Sequence, residues 1–173
     1  MQTQGFFRYD ATFDVSNTND SHTITALTVG SDKKVLDVGC SVAVIAPYLR
    51  SKNCTVVGID SDTEALEVAR QRCDQVYHID LNHIEQLASC VSSDFDVILC
   101  NDVLEHVLEP DALLKALRTH LNDTGFLIAS IPNVAHGSVR LGLWRGQRTI
   151  APLGHRYRLE ARSTAPLEAI AQR

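Results

Sequence analysis

Short apolar runs alternate with helical patterns along this chain at the intervals of βαβ units, which predicts a parallel sheet crossed by helices. The runs are KVLDV at Lys34–Val38, TVVGI at Thr55–Ile59, a shorter one near Gln75–Ile79, FDVILC at Phe95–Cys100 and GFLIASI at Gly125–Ile131. The first is apolar on both faces apart from its terminal acid, as a strand covered on both sides requires. Helices are expected from about Ser41 to Arg50, where Pro47 is tolerated only near the first turn, and again near residues 83–90. Ser61 and Glu64 read as a capping-box pair opening a helix through Ala65, Leu66, Val68 and Ala69. Pro110 and Asp111 open the next, whose leucines keep helical spacing to about Leu121 and stop at Asn122–Gly125. Right-handed crossovers then build a doubly wound sheet with its ligand site at the carboxyl ends of the strands.

Three of these strands run into an acid: Asp37, Asp60 and Asp80. In a parallel sheet all three should project toward one rim, a constellation rather than three separate residues. Asp60, about 20 residues beyond a glycine turn, is well placed to accept both hydroxyl hydrogens of a ribose. Acids at strand ends also cap the helices that follow, the alternative for Asp60 or Asp62. The turn after the first strand reads Gly39-Cys40-Ser41-Val42-Ala43. A dinucleotide fingerprint needs GxGxxG so that a helix N-terminus can approach a pyrophosphate. Ser41 and Val44 occupy its later glycine positions, which argues against a dehydrogenase.

Length and composition narrow the class. With 173 residues, 45% of them apolar and 21% charged, the chain suits one soluble domain. The first residues hold no cationic start before an apolar run, and no stretch has the length of a membrane span, so the expected location is cytoplasmic with no membrane partner. Five cysteines without a CxxC pair point to reduced, mostly buried small side chains rather than disulfides or structural zinc. The net charge of −5 hides seven arginines against two glutamates in residues 140–173. That basic end is the only feature that speaks for RNA, and a nucleic-acid partner is not expected.

VLDVGCSVA, VVGID, HIDLN and FDVILCNDVLEHV, in this order and spacing, resemble the successive motifs of class I S-adenosylmethionine-dependent methyltransferases, especially the small-molecule type related to quinone-biosynthesis enzymes. The resemblance covers roughly residues 5–146. It implies a Rossmann-like doubly wound, mostly parallel sheet of about five strands with helices on both faces, and S-adenosylmethionine as cofactor. By this likeness Asp37, Gly39, Cys40 and Ser41 belong to the turn beside the methionine portion. Asp60 with Ser61 binds the ribose, Asp80 with Leu81 frames the adenine, and Cys100 and Asn101 line the methionine end. The turn departs from the family's GxGxG. Ser41 and Ala43 replace two glycines, tolerable if their backbone angles are ordinary and the ligand does not touch their β-carbons.

The sulfonium is already an activated electrophile, so the protein has only to orient or deprotonate the acceptor. Glu105 and His106, just after the fourth strand, are the catalytic candidates. His106 is preferred as general base because imidazole titrates near working pH; a histidine packed against a neighbouring loop is the alternative. Asp102-x-x-Glu105-His106 also resembles the metal motif of some quinone-pathway and RNA 2′-O-methyltransferases, yet the same letters occur in metal-free relatives and no metal is assigned.

The expected organisation is an N-terminal lid or cap at residues 1–30, a cofactor-binding domain at 31–147 and an atypical basic tail at 148–173. Tyr9, Asp10 and His22 belong to the cap, with SHTITALTV as its helix, and Phe6, Phe7 and Phe13 cover the sheet. His136 and Arg140 are candidates for acceptor contact, Leu141, Leu143 and Trp144 for packing. Relatives continue with two more strands, for which this chain has no evident room; the tail is read as a truncated or frame-altered terminus. The fifth strand would then expose an edge unless the tail or a second copy, as a homodimer, covers it. The function expected is methyl transfer to an unidentified small-molecule acceptor; the competing expectation is a catalytically impaired cofactor-binding or assembly domain.

Overall fold

The computed structural model describes residues 13–18 and 20–132 together with the backbone of a strand at 154–160. In chain order the elements are α1 (Ser21–Val29), β1 (Lys34–Val38), α2 (Ala46–Ser51), β2 (Thr55–Asp60), α3 (Thr63–Ala69), β3 (Gln75–His78), α4 (Glu85–Cys90), β4 (Phe95–Asn101), α5 (Pro110–Arg118), β5 (Leu121–Pro132) and β6 (Gly154–Glu160). A single 3₁₀ turn, Leu104–His106, follows β4. The sheet order is β3-β2-β1-β4-β5-β6. Strands β1 to β5 are parallel, and β6 is antiparallel to β5.

Side chains alternate across the sheet, and the apolar strands therefore feed two cores. Val35, Val56, Val97, Leu99 and Ile128 meet Ala26 and Val29 of α1, Leu49 of α2 and Leu66 of α3 on one face. Leu36, Val57, Ile98 and Leu127 meet Leu87 of α4 and Leu113 and Leu117 of α5 on the other. Each fully buried Leu or Ile contributes about 2 kcal/mol of hydrophobic transfer, so both helix layers are pinned to the sheet. Order reversal between β1 and β4 opens a crevice at the carboxyl ends of these strands, the place where doubly wound sheets bind ligands.

Local chemistry adjusts several expected boundaries. Pro47 sits in the first turn of α2, where its missing N–H costs nothing, so the helix begins only at Ala46. Asp62, not Ser61, caps α3, accepting from the backbone N–H of Glu64 and Ala65. The carboxylate one residue later reaches the same orphan donors without the capping box. Strand β5 starts at Leu121 because Phe95 N–H donates to the His120 carbonyl and the His120 ring reaches Ser92 O, drawing the chain into the sheet early.

Strand β6 lies within the segment read from sequence as a tail without room for further strands. Seven register pairs, from Phe126 with Glu160 to Pro132 with Gly154, tie it to β5. The expected bare edge on β5 is thereby corrected: the chain's own later residues satisfy that ladder. The expectations for Phe6, Phe7, Tyr9, Asp10, His136, Arg140, Leu141, Leu143 and Trp144 lie outside the described residues. Phe13 does pack on the core, its ring 5.3 Å from that of Tyr48. Cys40, Cys54, Cys73 and Cys100 are buried free thiols and Cys90 is exposed. Among the described residues no helix is long and apolar enough to cross a membrane.

Candidate functional site

A cavity of about 540 Å³ opens at the carboxyl ends of β1, β2 and β4. Asp37, Asp60 and Asp80 all line it, together with Asp62 and Asp102. Among the described residues no lysine or arginine does. Apolar walls come from Val42, Val44, Ile45, Leu81, Val103 and Val107. A cavity with this lining suits a cation attached to an apolar body and repels a phosphate.

The turn after β1 forms the floor. Gly39 and Cys40 both donate backbone N–H groups to the Ile59 carbonyl, at 2.8 and 3.0 Å. Gly39 has φ +67°, and a β-carbon there would lie 2.6 Å from Cγ2 of Val103. Only glycine meets both conditions. Ser41 and Ala43 also have positive φ, 48° and 51°. Their backbone angles are thus not ordinary, which corrects the condition on which the two replacements seemed harmless: all three glycine positions of the family's turn adopt the left-handed region, and two of them carry a β-carbon. The Ser41 hydroxyl is moreover enclosed without a hydrogen-bond partner among the described residues.

Asp60 holds this turn in place. One carboxylate oxygen accepts from Ser41 N–H at 2.7 Å and the other from Asp62 N–H at 2.8 Å. Each oxygen retains a second lone pair for a ligand donor. Asp37, only 6% exposed, has no cation beside it among the described residues. Burial, reinforced by the Asp60 charge, pushes its carboxyl up to about 7. Burial likewise drives the Cys40 thiol far up, so it lines the cavity as a neutral group. Asp80 is half-buried and held below the usual carboxylate range, chiefly by the Asn82 backbone N–H.

The other sequence candidates divide. Ser61, Leu81 and Asn101 line the cavity, whereas Cys100 is wholly buried in the core and does not. His106 lines it from the 3₁₀ turn after β4; Glu105, its neighbour, is exposed and outside. Among the described residues no group of three or more His, Cys, Asp or Glu side chains could hold a metal. Asp102 is engaged differently. At φ +52° its backbone N–H and carboxylate both meet the Ser130 hydroxyl, at 3.1 and 2.9 Å, which latches the β4 loop to β5. Sequence reasoning missed this latch and the place of Asn82 on the rim, for which the Asp80-x-Asn82 turn pattern was the available signal.

Comparison with known proteins agrees with this geometry. The ubiquinone biosynthesis O-methyltransferase of Actinobacillus pleuropneumoniae is 35% identical over 108 residues, which are 58% of this chain and 46% of that protein. Its namesake from Acinetobacter baylyi is 34% identical over 105 residues, 58% of this chain and 44% of its own. The chain thus spans about half the length of the curated relatives it matches. Among solved structures, the plantazolicin methyltransferase BpumL in complex with SAH superposes with a TM-score of 0.59 at 22% identity, covering 80% of this chain and 55% of that one. A SAM-dependent methyltransferase from Thermotoga maritima gives 0.58 at 18% identity, covering 76% and 60%. These likenesses, at such identities, speak for the fold. The family described as a methyltransferase domain matches residues 20–165, most of the sequence, and the chain belongs to that family.

Proposed function

We propose that this chain binds S-adenosylmethionine in the acidic cavity and transfers its methyl group to a hydroxyl of a small-molecule acceptor. The observation that carries this reading is the cavity lining: five aspartates and no basic side chain among the described residues, at the strand ends of a methyltransferase-domain fold. S-adenosylmethionine brings two positive groups, an ammonium and a sulfonium, and no phosphate. Asp37, a buried carboxylate lacking a cation, is suited to face the positive methionine end, beside Gly39, Cys40, Ser41 and Asn101. Asp60 still has one acceptor site on each oxygen and with Ser61 is assigned the ribose hydroxyls. Leu81 and Asp80 are assigned the adenine.

The bound cofactor supplies an activated methyl; the protein's part is to align the acceptor and remove its proton. The choice of an oxygen acceptor draws on the named O-methyltransferase relatives. His106 is assigned to the acceptor side. Glu105, exposed outside the cavity, receives no role. Residues 1–30 are assigned to a cap over the cavity, and the strand at Gly154–Glu160 completes the sheet edge.

Calorimetry with S-adenosylmethionine and S-adenosylhomocysteine tests the binding half. Asp60→Ala should abolish affinity, and Asp80→Ala, a rim position, should weaken it with little change in thermal midpoint. Release of S-adenosylhomocysteine in the presence of phenolic acceptors tests the second half. Binding without turnover would favour the impaired-domain alternative, and no binding at millimolar ligand would sink both.

A further inference from the structure

The cavity holds a second imidazole. His22 on α1 lines it together with His106. Thr25 follows His22 by three positions and so shares its helix face. The Thr25 hydroxyl, fully buried, donates to Asn101 Oδ1 at 3.0 Å, fastening α1 to the end of β4. The imidazole one turn earlier therefore overhangs the Asn101 side of the cavity, where the methionine end is assigned. Its Nδ1 lies 3.8 Å from Asp20 Oδ2. Asp20 is itself fixed, because the same oxygen accepts from Thr23 N–H at 3.1 Å and caps the helix. A carboxylate on the Nδ1 side favours the tautomer that leaves Nε2 free to accept a proton. Among the described residues His106 forms no such ion pair.

We propose that His22, oriented by Asp20, is the group that takes the hydroxyl proton of the acceptor; the proposal rests on the cofactor assignment above. As the acceptor oxygen forms its bond to the methyl carbon, its proton passes to His22 Nε2. The bond between that methyl and the sulfonium sulfur breaks with its electron pair kept on sulfur, leaving a neutral thioether. The imidazolium formed faces Asp20 and passes its Nε2 proton to solvent as the product departs, its side chain being 35% exposed. His22 is thus a catalytic residue and Asp20 a positioning residue. Other charged or titratable groups around the cavity are Asp102 and His106 from the loop after β4, Asp37 from β1, the Cys40 thiol in the turn after it, Asp60 and Asp62 at the end of β2, and Asp80 beyond β3.

The test uses the full chain. Histidine ring nitrogen signals, assigned by their loss in His22→Gln and His106→Gln, are followed by NMR, first free, then with S-adenosylhomocysteine, then with catechol added. Asp20→Asn keeps a good helix cap while removing the charge, and should change the balance of Nδ1–H and Nε2–H tautomers seen at the His22 ring nitrogens. Catechol should shift the His22 signal in the S-adenosylhomocysteine complex. An unchanged tautomer balance in Asp20→Asn, or a His22 signal indifferent to catechol, overturns the proposal. His22→Gln should slow methyl transfer to catechol by about 100-fold or more while leaving S-adenosylhomocysteine affinity within about twofold; turnover at the wild-type rate also overturns it. Failure of the wild-type chain to bind S-adenosylhomocysteine would instead refute the cofactor assignment, while the Asp20–His22 coupling would still be decided by the tautomer signals.

Discussion

Replacing Asp37 with asparagine should stabilise the fold, and by an amount that depends on pH. The carboxyl is buried, with its folded-state pKa raised to about 7 from an ordinary value of 3.8, first by desolvation and second by Asp60. A carboxyl raised in this way binds its proton more tightly in the folded than in the unfolded chain. Between about pH 4 and 7 the folded state holds the extra proton, so stability falls as pH rises through that window and levels off above it. At about 1.4 kcal/mol per unit, the ionised group costs the fold about 4 kcal/mol at pH 8 and about 2 kcal/mol at pH 5. Asparagine cannot ionise. The gain of Asp37→Asn over wild type should therefore be larger at pH 8 than at pH 5 by about 2 to 3 kcal/mol. Comparing the two pH values cancels whatever the buried amide itself costs. Urea unfolding followed by circular dichroism, at both pH values for both proteins, supplies the four numbers. An equal gain at pH 5 and pH 8 would refute the reasoning, because it would mean that Asp37 does not change ionisation on folding.

Binding should report the same group: affinity for S-adenosylmethionine should rise up to about tenfold from pH 6 to pH 8 as Asp37 ionises, and calorimetry of Asp37→Asn should find this rise lost and affinity lower. Ser41→Gly should raise stability by about 1 to 2 kcal/mol, or the thermal midpoint by roughly 3 to 6 °C, since it relieves a left-handed residue and an enclosed unpaired hydroxyl at the cost of a more flexible unfolded chain. An unchanged or lower midpoint would show that the hydroxyl has a partner. Gly39→Ala should cost about 3 kcal/mol, from a positive φ and the overlap with Val103. Gly30→Ala, at φ +80° with nothing within 4 Å, isolates the backbone part at about 1 to 2 kcal/mol; similar losses at both positions would deny the contact with Val103.

Much of the fold was legible in the order of residues because its determinants are local. KVLDV, TVVGID and FDVILCN are apolar on both faces, and only a sheet covered by helices on both sides can bury them. The acids near the ends of β1 and β2 and just beyond β3 were legible as a group for the same reason: parallel strands point their carboxyl ends one way, and Asp37, Asp60 and Asp80 share a cavity. Tertiary structure decided what depends on distant partners. The backbone sign at Ser41 and Ala43 follows from a turn pinned by Ile59 and Asp60 and is invisible in their side chains. Strand β6, GHRYRLE, carries too many arginines to announce itself, and its place is set by the open ladder of β5 some thirty residues earlier. Neighbours as close as Glu105 and His106, both exposed, part ways because the 3₁₀ turn sets only His106 against the cavity. His22 reaches that cavity because Thr25 finds a hydrogen-bond partner 76 residues away, a contact that no local pattern encodes.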